Sequence, residues 1–147
     1  MAPLHLLIVD DSLPDIHLVT AAFEDYPDVR LTAHDQAAVA LNWLEAQAAT
    51  GDLPNLVLLD LHMPGMDGLA WLSVVQQRPG LQDLPILLYS LTPMERQLQQ
   101  VAHAPVFGCW QKPLTFQGMQ AHAQTLWTLW QQDGHFHPAA LQQPAGL

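Results

Sequence analysis

Residues 56–68 read LVLLDLHMPGMDG: four apolar residues without a break, then Asp60, then a turn built on proline and glycine. A run this short and this uniformly apolar reads as a strand covered by helices on both faces, as in a parallel sheet. It delivers Asp60 to the turn. Two more runs end on charge in the same way. LHLLIVDD, residues 4–11, closes on Asp10 and Asp11, and PVFGCWQKP, residues 105–113, closes on Lys112, the only lysine in the chain. A further run, PILLYS at residues 85–90, ends on Ser90. In an open parallel sheet the carboxyl ends of the strands line one edge, where ligands bind. Asp10, Asp11, Asp60 and Lys112 should meet there. Three acids and one base are the parts of a magnesium-assisted phosphoryl acceptor.

Outward from this core, short apolar runs alternate with longer segments of helical spacing, the mark of βα repetition. Five such repeats can be counted, which predicts an α/β fold with a five-stranded parallel sheet and helices on both faces. Strands are expected at Leu4–Val9, Val29–His34, Leu56–Leu59, residues 85–90 and Val106–Trp110. The first helix follows Ser12, places Ile16, Val19 and Phe23 on one face, and should end at Pro27. The second has Ala37, Leu41, Leu44 and Ala48 in one stripe, and the third runs from Leu69 to Gln77. The fourth begins near Pro93 and stops before Pro105. The last carries Phe116, Met119, Ala123, Leu126, Trp127 and Trp130 at helical spacing and is closed by Gly134. One domain over residues 1–133 is expected, then a loose tail, residues 134–147, with no separate output domain.

At 147 residues the chain can bury a core without disulfides or structural metal. Its net charge of −10, with four Lys and Arg together, leaves no basic surface to neutralise a phosphate backbone, so direct nucleic-acid binding is not expected. No apolar stretch approaches a membrane span, and MAPLHLLIVDD lacks a secretory leader, which points to the cytoplasm. Cys109 has no partner for a disulfide or a CxxC pattern and reads as core filler. The eight histidines reflect surface composition rather than a metal site.

Asp10-Asp11 after the first strand, Asp60 in LVLLDLHMPGMDG, Ser90 after the fourth strand and Lys112-Pro113 after the fifth together resemble the receiver domain of two-component response regulators. The resemblance covers roughly residues 4–130 and lies in the whole constellation, since each piece alone is common. It implies a doubly wound, flavodoxin-like fold and a phosphoacceptor signalling domain that catalyses at most its own phosphorylation and dephosphorylation. Asp60 would accept the phosphoryl group from a sensor histidine kinase. Magnesium would be held by Asp11 and Asp60, by Asp10, often through water, and by the backbone carbonyl of His62. Lys112 would sit on a phosphoryl oxygen and, before phosphorylation, against Asp60; Ser90 would donate its hydroxyl to another phosphoryl oxygen. His62 and Thr92 stand where the family tunes the lifetime of its phosphoryl group. The loops around Thr50–Pro54 and Arg78–Leu84, with the C-terminal extension, look like the stand-alone regulators paired with bacterial phytochrome kinases.

Each piece has a plainer explanation taken alone. Asp10 and Asp11 fit a helix N-terminal charge pattern, Asp67 before Gly68 fits a turn, and Lys112 fits a solvated charge. The family usually has Ala or Gly where Leu91 stands, so access to Asp60 could be restricted. Its switch aromatic falls at Cys109, and strand alternation puts the neighbouring Trp110 on the opposite face. Both departures suggest an alternative, a degenerate receiver acting as a constitutive protein-binding module. A small-substrate phosphatase with an aspartate nucleophile is weakened by His62, because that class resembles DxDxT. Leu98, Val101, Leu126, Trp127, Leu129 and Trp130 are more apolar than one buried stripe needs, which predicts a symmetric homodimer through the last helices and strand five.

Overall fold

None of the side chains of β1 (Leu4–Val9), β3 (Leu56–Leu59) or β4 (Ile86–Ser90) is exposed, so these strands need cover on both faces. The computed structural model, which describes residues 2–100 and 106–141, supplies it. β2 (Val29–His34) and β5 (Gly108–Gln111) complete a wholly parallel five-stranded sheet in the order β2-β1-β3-β4-β5. α1 (Leu13–Ala22) and α5 (Phe116–Asp133) cover one face. Ile16, Val19, Met119, Ala123, Leu126 and Trp130 pack there on Leu6, Ile8 and Leu58. α2 (Ala37–Thr50) and α3 (Gly68–Gln77) cover the other, with Ala40, Leu44, Trp71 and Val75 against Leu7, Val9 and Leu59. α4 (Met94–Gln100) packs beside β5. The strand order reverses between β1 and β3, which opens a crevice at their carboxyl ends.

Several boundaries move from their expected places. α1 ends at Ala22, well before Pro27, because Phe23 caps it with a hydrogen bond from its amide to the Thr20 carbonyl. α3 starts at Gly68, where the Asp67 carboxylate accepts from the Ala70 amide at 2.8 Å. Asp67 is therefore a helix cap rather than only a turn former. β5 pairs with β4 from Gly108 onward, not from Val106. The end of α4 before Pro105 lies outside the described residues.

The described part of the segment after α5, residues 134–141, is packed, not loose. Phe136 stacks on Trp130, and Leu141, wholly buried, receives a hydrogen bond from the Trp110 indole on its carbonyl at 3.2 Å. One aromatic and one aliphatic anchor leave no periodic signature, so the sequence pattern missed them. The apolar excess on the last helices is smaller than expected. Leu126 and Trp130 are core, Trp127 and Leu129 are half-buried, Leu98 is exposed, and Val101 lies outside the described residues.

Candidate functional site

Three ladder bonds set the edge at which the polar residues meet. The Asp10 amide donates to the His34 carbonyl at 3.2 Å, the Asp60 amide to the Val9 carbonyl at 2.9 Å, and the Lys112 amide to the Ser90 carbonyl at 2.7 Å. In the parallel register Asp10 and Asp60 stand level, Ser90 one residue and Lys112 two residues further along their strands, so all four leave the sheet at its carboxyl edge. Carboxylate oxygens of Asp10, Asp11 and Asp60 lie within 4.8 Å of one another, Asp10 and Asp60 buried and Asp11 exposed. The expected convergence of three acids and a lysine is present.

Like charges so close, two of them out of water, favour a proton or a cation. Burial pushes the Asp60 carboxyl up to about 6; Lys112 opposes the rise, Asp10 and Asp11 add to it, and the Ser90 hydroxyl tempers it. Asp10 is also raised by burial, with Lys112 opposing. A set of hard oxygen donors with one open, exposed member matches what a divalent cation such as magnesium asks of a protein, which is a few carboxylates with water on the remaining positions. His62, two residues past Asp60, is exposed in the loop that leads to α3.

Lys112 is not where it was expected. Its ammonium lies 2.5 Å from Asp10 and 2.8 Å from Asp15, rather than against Asp60. Two carboxylates, one of them at the start of α1, outcompete one: burial lowers the affinity of Lys112 for its proton, but Asp10 and Asp15, with Asp60 beyond, reverse this and hold it charged. Asp15 is a member of the site that the strand-end pattern did not mark, since it lies inside the first turn of α1. The signal available was its spacing from Ser12, whose hydroxyl accepts from the Asp15 amide and caps the helix. The Ser90 hydroxyl, buried, donates to Thr92 Oγ1 at 3.1 Å and accepts from the Thr92 amide. Leu91 is 55% exposed, pointing into solvent. Cys109 and Trp110 face opposite sides of the sheet as alternation requires. The thiol lies in the α2–α3 layer, where burial pushes it up to about 11, and the indole lies in the α1–α5 layer.

Fold and site together define a doubly wound α/β domain with an acidic pocket and a buried lysine at its switch point. A family model described as the response regulator receiver domain matches residues 6–124. The chain belongs to that family. It is 30% identical over 139 residues to the cyclic di-GMP phosphodiesterase response regulator RpfG of Xanthomonas campestris pv. campestris (strain 8004), covering 94% of this chain and 35% of that protein. It is 34% identical over 90 residues to the two-component response regulator ORR12 of Oryza sativa subsp. japonica, covering 61% of this chain and 70% of that one. The chain thus spans about a third of the Xanthomonas protein. Among solved structures, the Mn(2+)-bound response regulator Rcp1 is similar with a TM-score of 0.73 at 25% identity, covering 87% of this chain and 94% of that one. The phosphorylated cyanobacterial phytochrome response regulator RcpA shares the fold with a TM-score of 0.78 at 21% identity, covering 93% and 99%. The bacteriophytochrome response regulator AtBRR shares it with a TM-score of 0.67 at 24% identity, covering 91% and 94%. Among the described residues no helix is long and apolar enough to cross a membrane.

Proposed function

We propose that this chain is a single-domain response regulator that accepts a phosphoryl group on Asp60 from the phosphohistidine of a sensor histidine kinase. The cluster of Asp10, Asp11 and Asp60, with Lys112 buried beside it, carries this reading. An Asp60 oxygen attacks phosphorus as the phosphorus–nitrogen bond breaks, and the imidazole keeps the electron pair. Phosphoryl transfer passes through a loose transition state, so positioning and charge neutralisation do most of the work. Asp10, Asp11, Asp60 and the His62 carbonyl would hold magnesium, which supplies neutralisation of the transferring oxygens when bound. Lys112 and Ser90 bind the other two phosphoryl oxygens. For Ser90 this means exchanging its bond to Thr92, and the loop after β4 moves with it. The surface then shifts between two populations.

The working unit is the domain over residues 1–133 with its C-terminal segment, acting in the cytoplasm through protein partners. The phytochrome-associated fold neighbours favour a phytochrome as the cognate kinase. A homodimer through the last helices and β5 belongs to the same proposal, and sedimentation showing only monomer at micromolar concentration would remove it. Trp110, turned into the α1–α5 layer, and the buried Cys109 favour a second reading as a constitutive binding module without an aromatic switch. Incubation with acetyl phosphate and magnesium, read by intact mass, separates the two. Gain of one phosphoryl group, lost in Asp60→Asn and without magnesium, supports the phosphoacceptor; no gain, even from a phosphorylated histidine kinase, supports the module.

A further inference from the structure

Lys112 is 4% exposed and makes two ion pairs, and the phosphoacceptor scheme has a use for only one of the acids involved. Asp10 belongs to the cation cluster; Asp15 does not. A carboxylate in the first turn of a helix has a ready explanation in the macrodipole and in the Ser12 cap. That explains why an acid stands at this position, but not where its tip goes. The Asp15 side chain, one quarter exposed, reaches across to a lysine 97 residues away in the sequence. An ammonium has three donors. Two are committed to Asp10 and Asp15, the carboxylates on which the Lys112 ammonium rests in place of Asp60.

We propose that Asp15 is a positioning residue for Lys112: its 2.8 Å ion pair holds the ammonium beside Asp10 and off Asp60, and so leaves Asp11 and Asp60 open to a divalent cation. The same pair competes with a phosphoryl group on Asp60 for the lysine. This rests on the reading of Asp60 as phosphoacceptor. Without Asp15, Lys112 swings toward Asp60 and places a positive charge where the cation would enter. It is then also free to bind a phosphoryl oxygen without a rival. The two consequences have opposite signs. An acid that matters only to helix stability shifts neither, and an acid that acts only through its own field shifts both without needing the lysine.

The test measures two dissociation constants by calorimetry on the full chain. One is for magnesium alone; the other is for beryllium trifluoride, a phosphoryl mimic, at saturating magnesium. Asp15→Asn is expected to weaken magnesium by about threefold or more and to tighten beryllium trifluoride by a similar factor, the scale of removing one charge near a partly buried site. Asp15→Glu should return both toward wild type. In a Lys112→Gln background the Asp15→Asn change should have no effect on either constant, because its lever is gone. Unchanged constants in Asp15→Asn overturn the proposal, as do shifts that persist at full size in the Lys112→Gln background. If the wild type binds no beryllium trifluoride, or Asp60→Asn binds it as well as wild type, the phosphoacceptor reading falls and this one with it. A working wild type beside an unresponsive Asp15→Asn removes only this one.

Discussion

Asp60 is charged at neutral pH against the preference of its surroundings. Its folded pKa stands at about 6, above the 3.8 of a free side chain, chiefly because it is buried. A raised pKa means that the folded state binds the proton more tightly. The resulting stability is therefore present below pH 3.8 and lost as pH rises through 6. Two pKa units correspond to roughly 3 kcal/mol, so without divalent cations at pH 8 Asp60→Asn should be more stable than wild type by about 2 kcal/mol. His122 works in the other direction. It is buried, accepts or donates at the Tyr89 hydroxyl at 2.9 Å, and burial lowers its pKa to about 4. Its contribution is present above pH 6.5 and lost as pH falls through 4. The two slopes oppose each other over the same window. Urea midpoints between pH 4 and 8 should be flatter for wild type than for Asp60→Asn, whose acid limb is left to His122 and to the lowered His5 and His34. An Asp60→Asn protein no more stable than wild type at pH 8 would mean that Asp60 carries no such burden.

The strand end that holds Asp60 is itself held by a helix. A Cβ built on Gly68 would lie 2.7 Å from the Asp60 carbonyl oxygen and 2.9 Å from Leu61 Cα, both backbone, while the Gly68 amide donates to the Leu61 carbonyl at 2.8 Å. α3 thus docks main chain against main chain at β3, where only glycine fits. Gly68→Ala should lower stability by about 1–3 kcal/mol by overpacking. If Asp60 accepts a phosphoryl group as proposed, the variant should also take it up more slowly at temperatures where it is still folded, because the Asp60 backbone must shift. Gly65, with φ at 82° and open space around it, is the control: its alanine variant strains the backbone but leaves Asp60 in place. Urea midpoints and acetyl phosphate incorporation, measured on both, separate the two effects. Sequence reading marked this turn but not its closeness. β1 and β3 were legible because unbroken apolar runs admit few other readings, and the acids at their ends were legible with them. An Asp-Gly pair suits a turn or a cap equally, since in both the carboxylate accepts from a nearby amide. The partners of Lys112 were illegible because they depend on how closely the start of α1 stands to β5, which no local pattern records.

At the far side of the sheet the chain closes on itself. A Cβ on Gly108, the first residue of β5, would lie 2.1 Å from the Leu141 carbonyl oxygen, and that same oxygen accepts from the Trp110 indole. Phe136, 5% exposed, stacks on Trp130 in the same core cluster as Trp110 and Leu141. The segment after α5 therefore belongs to the α1–α5 layer, and the strand it braces is the one that delivers Lys112. Leu141→Ala removes a fully buried side chain and should cost about 2–4 kcal/mol. Gly108→Ala should cost a comparable amount, because a methyl group there pushes Leu141 out of the same place. Since Gly108→Ala already displaces Leu141, little side-chain burial is left for Leu141→Ala to remove, so the double variant should lose much less than the sum, with a coupling of about 1 kcal/mol or more in a urea double-mutant cycle. Strict additivity would show that Leu141 is held by something other than its seat on Gly108, and that the C-terminal segment does not brace β5.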